Sequence, residues 1–198
     1  MSKMISEEII LASKSPRRAE LLKRHGVPFV VRTVEVEELT DCIERAELPV
    51  LNAELKCAAV ADIYPEKTVV GADTVILFEN MILGKPSDID DAVRMLKLLS
   101  GREHQVITGC AVICRKTNFM YKFKCVSNVR FRQLDEEKIR QYLAKVNVLD
   151  KAGAYAIQEY GEEIIEKFSG SLDNIVGLPV EELCEVLQQT GVISTANK

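Results

Sequence analysis

The chain has 198 residues, 47% hydrophobic and 28% charged, a balance that permits a sizeable core and excludes a disordered or low-complexity polymer. A net charge of −4 argues against a general nucleic-acid binder, and no segment approaches the roughly 18 apolar residues needed to span a bilayer. Six cysteines without a C-x-x-C pair read as reduced thiols, while two histidines leave little for a His-rich zinc site or a Ser-His-Asp triad. The N-terminal stretch lacks the basic, apolar, small-residue order of a signal peptide, so a cytoplasmic protein is expected.

In chain order, Ile9 to Ala12 reads as a short buried strand, and Ser15 with Pro16 has the form of an N-cap followed by proline at the first helical position. The helix should stop near His25, with Gly26 as its C-terminal cap. A strand, a tight turn and a helix N-terminus together aim unpaired backbone N–H groups and the positive end of the macrodipole at one place, which suits an anion. Arg17 and Arg18 stand in the first helical turn, where a cation costs roughly 0.3 to 1 kcal/mol, and a bound anion would reverse that sign. On this argument alone, removing either arginine should leave stability unchanged or slightly better.

Phe29 to Val34 alternates like a strand, and the acidic stretch from Glu35 to Glu44 reads as a loop, from which Glu38 is the candidate to help hold Mg²⁺. Glu47 to Tyr64 carries a helical stripe with Lys56 on its border. Lys67 to Phe78 is strand-like throughout, yet Asp73 sits in its middle. An ionised carboxylate buried without a partner costs several kcal/mol, so Asp73 is a buried ion pair, a metal ligand or a general base. Gly71, just before it, permits close backbone approach.

Glu79 and Asn80 form a hairpin turn into Met81 to Leu83, and Gly84-Lys85-Pro86 follows without the remaining residues of a Walker A loop. Lys85 at a strand's end can still reach phosphate as a point charge. Ser87 with Asp90 resembles a capping box opening a helix through Leu99. Gln105 to Cys114 and Phe119 to Phe131 read as a long hairpin, Asp135 to Lys145 as a helix, and Leu149 to Gln158 as a charged turn entering a short apolar run. A short strand from Glu162 to Phe168, an irregular loop from Gly170 to Pro179 and a helix from Val180 to Gln189 complete the order. The order implies a single α/β domain over residues 1–198, with one twisted mixed β-sheet flanked by helices and two lobes around a central cleft.

Six stretches, LASKSPRRAELL, GADTVI, LGKP, LSGREHQVITG, DKAGAYAIQ and GSLDNIVGLP, occur in an order that resembles the Maf family of nucleoside triphosphate pyrophosphatases. The resemblance implies a fold like that of the inosine triphosphate pyrophosphatases. It also implies hydrolysis between the α- and β-phosphorus atoms with a divalent cation, Mg²⁺ or Mn²⁺. Carried over residue by residue, Asp73 becomes the proton acceptor, Glu38 and Asp73 the metal carboxylates, and Ser13, Arg17, Arg18, Lys56 and Lys85 the phosphate contacts.

The subgroup of dTTP/UTP pyrophosphatases is similar at its specificity positions, which here are Arg17, Thr74 and Gln158, whereas the subgroup for 7-methyl-GTP carries a tryptophan that this chain lacks. Two positions depart from the family pattern: Glu37-Glu38 stands where many relatives have Asp-Glu, which leaves the metal carboxylate open between Glu37 and Glu38, and Leu172 stands where many have tyrosine. The implied partner is a nucleoside triphosphate, with no nucleic acid and no membrane, and a homodimer stays open. Two alternatives stand beside this reading: a hydrolase clearing modified or other non-standard nucleotides, and a nucleotide-sensing module linked to cell division without turnover. A pure sensor would need the basic groups but not the Asp73 carboxylate.

Overall fold

Runs rich in valine and isoleucine such as Val69–Phe78 build the sheet, and amphipathic runs such as Ile89–Leu99 build helices around it, while the longest helix, Leu48–Ile63, is apolar with little one-sidedness. The computed structural model describes residues 3–5 and 7–195. Its strands are β1 (Lys3–Ile5), β2 (Ile9–Leu11), β3 (Phe29–Val31), β4 (Val69–Phe78), β5 (Met81–Leu83), β6 (Glu103–Cys114), β7 (Phe119–Phe131), β8 (Ile165–Ser169) and β9 (Ile193–Thr195). Its helices are α1 (Pro16–Arg24), α2 (Leu48–Ile63), α3 (Ile89–Leu99), α4 (Glu136–Lys145), α5 (Gly161–Ile164), α6 (Leu172–Val176) and α7 (Val180–Gln189). No helix among the described residues is long and apolar enough to cross a membrane.

Seven strands form one mixed sheet in the order β3-β2-β4-β6-β7-β8, with β5 beside β4. β2 runs parallel to β3 and β4, whereas β5 and β8 are antiparallel to β4 and β7. β2 is buried along its whole length, as a strand flanked by parallel neighbours must be, and its continuous apolar sequence follows from that. β1 and β9 pair antiparallel in a separate two-stranded sheet that local sequence patterns did not foretell.

The chain divides into two compact units, the first made of residues 1–73, 108–125 and 177–198, and the second of residues 74–107 and 126–176. In the first, α2 packs its small residues Ala53, Cys57 and Ala61 with Ile10, Val69, Ala111 and Ile113. The approach is close because the strands offer glycine: a Cβ on Gly71 would fall 2.4 Å from the Ala53 carbonyl oxygen, and one on Gly109 would fall 2.3 Å from the Pro49 carbonyl carbon. Burial pushes the Cys57 thiol up to about 12, which leaves it a small apolar filler. The second unit is built on Ile76, Phe78, Leu96, Leu99, Phe131, Ile139 and Tyr142, all nearly or fully inaccessible to solvent.

Several boundaries differ from the sequence-based expectation, each for a local reason. Ser15 occupies the N-cap of α1, but its hydroxyl makes no capping bond. The cap of α3 is Asp88 rather than Ser87: its carboxylate accepts from the Asp91 N–H at 2.8 Å, while Asp91 accepts from the Ser87 N–H at 3.0 Å. A carboxylate one residue nearer the helix displaced the serine, and the box closed with Asp91 instead of Asp90. The expected strand at 162–168 begins as the helical turn α5, and the loop after Gly170 contains α6, each too short to carry a periodic signal.

Candidate active site

In the first unit, the turn between β2 and α1 is organised by side chains. Ser13, 7% exposed, accepts from the Ser15 N–H at 3.2 Å and from Arg18 Nη1 at 3.0 Å. Arg18 also donates through Nη1 to the Ala72 carbonyl at 2.9 Å and through Nε to the Gly177 carbonyl at 2.7 Å. One guanidinium thus joins α1, β4 and the turn before α7. Desolvation lowers its pKa, and the opposing influences of Asp73 and Glu38 raise it, so both carboxylates lie within its electrostatic reach. The neighbouring Arg17 is half-buried on the same helix and adds a like charge that lowers the Arg18 pKa. Arg18 is therefore a joint as well as a cation, and the expectation that its removal leaves stability untouched does not survive the geometry.

Asp73 finds its partner in Lys56. The ammonium stands 2.9 Å from Asp73 Oδ1 and 2.6 Å from Glu38 Oε2, with the Lys56 and Asp73 side chains only 17% and 15% exposed. Burying a single ion pair this far from water gains little, because desolvation offsets the Coulomb term. A second carboxylate on the same ammonium adds attraction and holds both acids near one point. It is Glu38, not Glu37, that makes this contact. The loop carrying Glu38 is pinned by Asn52, an amide 3% exposed in α2 that accepts from the Leu39 N–H at 2.8 Å and donates to the Leu39 carbonyl at 3.0 Å.

Sequence reasoning missed Asn52; its signal was an amide inside an otherwise apolar stretch of helix. Among the described residues, no three His, Cys, Asp or Glu side chains converge as a ready metal cage. Glu38 and Asp73 are nevertheless hard oxygen donors already gathered around one cation, a donor set that suits Mg²⁺ when substrate phosphates and water complete the shell.

The remaining expected residues lie in the second unit. Thr74 is half-buried on β4, next in sequence to Asp73, while Lys85 and Gln158 are exposed. The segments carrying the last two are tied together, since the Gly153 N–H donates to the Gly84 carbonyl at 2.9 Å. Within the late loop, Asn174 donates to the Val106 carbonyl at 3.1 Å and to Ser127 Oγ at 2.9 Å, and Ser127 donates to the Ser171 carbonyl at 3.0 Å. Gly170 makes room for this network, because a Cβ there would lie 2.7 Å from Ser127 Oγ. His104 and Tyr142, given no role by the sequence, contact the segment before Gln158 at Tyr155 and Ala156.

A family profile described as Maf-like protein covers residues 8–190. The dTTP/UTP pyrophosphatase of Akkermansia muciniphila is 44% identical over 184 residues, which is 92% of this chain and 96% of that protein. The protein of the same name from Dictyoglomus thermophilum is 41% identical over 189 residues, 94% of this chain and 98% of its own length. Among solved structures, the Staphylococcus aureus Ham1 protein shares the fold at a TM-score of 0.55 and 18% identity, covering 93% of this chain and all of its own.

Proposed function

The chain belongs to the Maf family, and from that premise we propose that it hydrolyses nucleoside triphosphates, dTTP and UTP by preference, to the nucleoside monophosphate and pyrophosphate. The observation that carries this reading is the Asp73 carboxylate, sheltered inside β4 and gripped by the Lys56 ammonium beside the Arg18 guanidinium. The names of the relatives supply the substrates. The profile runs through both compact units, which supports one catalytic domain over residues 1–198. The expectation of a cytoplasmic enzyme belongs to the same reading.

In the proposed reaction a water oxygen attacks the α-phosphorus and forms the new P–O bond. The bond from the α-phosphorus to the bridging oxygen breaks, and pyrophosphate leaves with the electron pair. Asp73 takes the proton of the attacking water and returns it to solvent. Arg17, Arg18, Lys56 and Lys85 neutralise the charge that moves onto the leaving group, and the N–H groups at the start of α1, with Ser13, fix the phosphate chain. Positioned charge is expected to supply most of the acceleration, as in other phosphoryl transfers.

Glu38 and Asp73 would hold Mg²⁺ or Mn²⁺, which when bound would supply a Lewis-acid charge for the phosphoryl oxygens. Two carboxylates and two cations in this cluster cancel formally. A polyphosphate arriving with its own divalent cation therefore meets less opposition than a naked one.

Base choice we assign to Gln158, with Thr74 and Arg17 in support. A glutamine amide held in one orientation presents its acceptor and donors in an order that matches the adjacent carbonyl and N–H of uracil or thymine and not the reversed order on cytosine. Pyrophosphate release from dTTP, UTP, CTP, ATP and GTP with MgCl₂ tests the reading. We expect dTTP and UTP to lead in kcat/KM, and release of inorganic phosphate in place of pyrophosphate would overturn it.

A further inference from the structure

The segment before Gln158 is buried although it is irregular apart from one 3-10 turn at Ala152–Ala154. Lys151, Gly153, Ala154, Tyr155 and Ala156 are all buried, and the exposed side chain of Gln158 follows two residues later. Loops avoid the interior because every peptide N–H and C=O there needs a partner. In this loop the Lys151 N–H donates to the Val148 carbonyl at 3.0 Å, the Gly153 N–H to Gly84 at 2.9 Å and the Ala154 N–H to Lys151 at 3.2 Å. The Lys151 ammonium donates to the Asn147 carbonyl and to Asp150 Oδ1, with Glu159 Oε1 at 3.4 Å completing its surroundings.

Ala156 is served by a side chain instead. Its N–H donates to the Tyr142 hydroxyl at 3.0 Å, and that hydroxyl donates back to the Ala156 carbonyl at 3.4 Å. Tyr142 comes from α4, is 0% exposed and is among the largest fully buried side chains. Burial pushes its phenol up to about 12, so near neutral pH the proton stays and the oxygen both accepts and donates. The adjacent Tyr155 hydroxyl lies 2.8 Å from His104 Nε2, and the two rings meet edge to face.

The backbone here is strained as well as tethered. Gly153 has φ 69° and Ala154 has φ 61°, a left-handed conformation that a residue with a Cβ keeps only where its surroundings over-determine it. Phenylalanine at position 142 would fill the core equally well and leave the Ala156 peptide unmet. The hydroxyl therefore serves the loop.

We propose that Tyr142 is a specificity-positioning residue, whose hydroxyl holds the Ala156 peptide and so fixes where the Gln158 amide is presented to the base. The inference rests on the assignment of base choice to Gln158. It adds a group on α4, outside every motif of the resemblance, that acts only through that glutamine.

The test compares the full-length wild type with Tyr142→Phe, Gln158→Glu and the double variant, each measured for kcat/KM on UTP and CTP and for Tm. Gln158→Glu keeps the acceptor and removes both donors, so the UTP-over-CTP ratio should narrow. Tyr142→Phe should fold with a lower Tm and lose about tenfold of that ratio, on the order of what one misplaced hydrogen-bonding group costs in discrimination. The double variant should lose no more than Gln158→Glu alone, because two residues acting in series are not additive. If Tyr142→Phe does not fold, Tyr142→Met removes the same hydroxyl from a more adaptable side chain.

A wild-type ratio in the folded Tyr142 variant, with Gln158→Glu still narrowed, overturns the inference and leaves the phenol a core residue. Multiplying losses in the double variant overturn it too. A wild-type ratio in Gln158→Glu overturns the base-reading assignment itself, which separates the two failures.

Discussion

Arg18→Ala should destabilise the protein, against what helix electrostatics alone would say. Taking a cation out of the first turn of α1 relieves roughly 0.3 to 1 kcal/mol of dipole repulsion. Set against that are three acceptors left behind, the Gly177 carbonyl at 2.7 Å, the Ala72 carbonyl at 2.9 Å and Ser13 Oγ at 3.0 Å. Hydrogen bonds from a charged donor contribute about 1.5 to 3 kcal/mol each, so the gross loss is on the order of 5 to 9 kcal/mol. Desolvation, the largest influence on the Arg18 pKa, offsets much of this, and the partial exposure of the residue lets water replace some of the bonds.

A net loss of about 2 to 3 kcal/mol is expected for Arg18→Ala, and about 1 to 2 kcal/mol for Arg18→Lys, which keeps the charge without the planar fork. Urea unfolding of the substrate-free protein, read from the midpoint at unchanged m, measures both. A shift below about 0.5 kcal/mol in both variants would refute the joint and return Arg18 to an ordinary surface cation.

Asp73→Asn should fold normally yet lose a factor of about 100 or more in turnover, the order expected when a general base or metal ligand is removed, and near-normal pyrophosphate release from the folded variant would contradict the role given to Asp73. The buried His104 is held down to about 4 from 6.5 by desolvation. Because the unfolded chain takes up this proton first, the stability due to the neutral ring is fully present above about pH 6.5. It is lost as the pH falls to about 4, a change of about 3 kcal/mol. Urea midpoints from pH 7 to pH 4 should therefore fall less steeply in His104→Gln, and parallel profiles would show that His104 is not the group responsible.

Asp73 was legible because a carboxylate inside a β-branched run must have a partner, and its neighbour Gly71 announced the close packing of α2. The partner itself was less legible. Lys56 lies 17 residues away on another element, and only the fold brings the two within 2.9 Å. Asn52 and Tyr142 escaped because hydrophobic periodicity treats a buried helical position as core and does not say when a polar atom there is tied to a distant backbone. The same holds for β1 with β9, a pairing between the two ends of the described chain that no local propensity encodes. Arg18 was read for its charge, whereas three backbone and hydroxyl acceptors decide its effect on stability. Motif order, by contrast, survives at long range because each stretch keeps its own local signature, which is why the fold class was readable throughout.

Attack on the α-phosphorus is the central chemical claim, and hydrolysis of UTP in ¹⁸O-labelled water tests it most directly. Mass spectrometry of the two products should place the label in UMP and none in pyrophosphate, since the entering oxygen stays on the phosphorus it attacks. Label in pyrophosphate, with unlabelled UMP, would mean attack on the β-phosphorus and would contradict the mechanism built on Asp73.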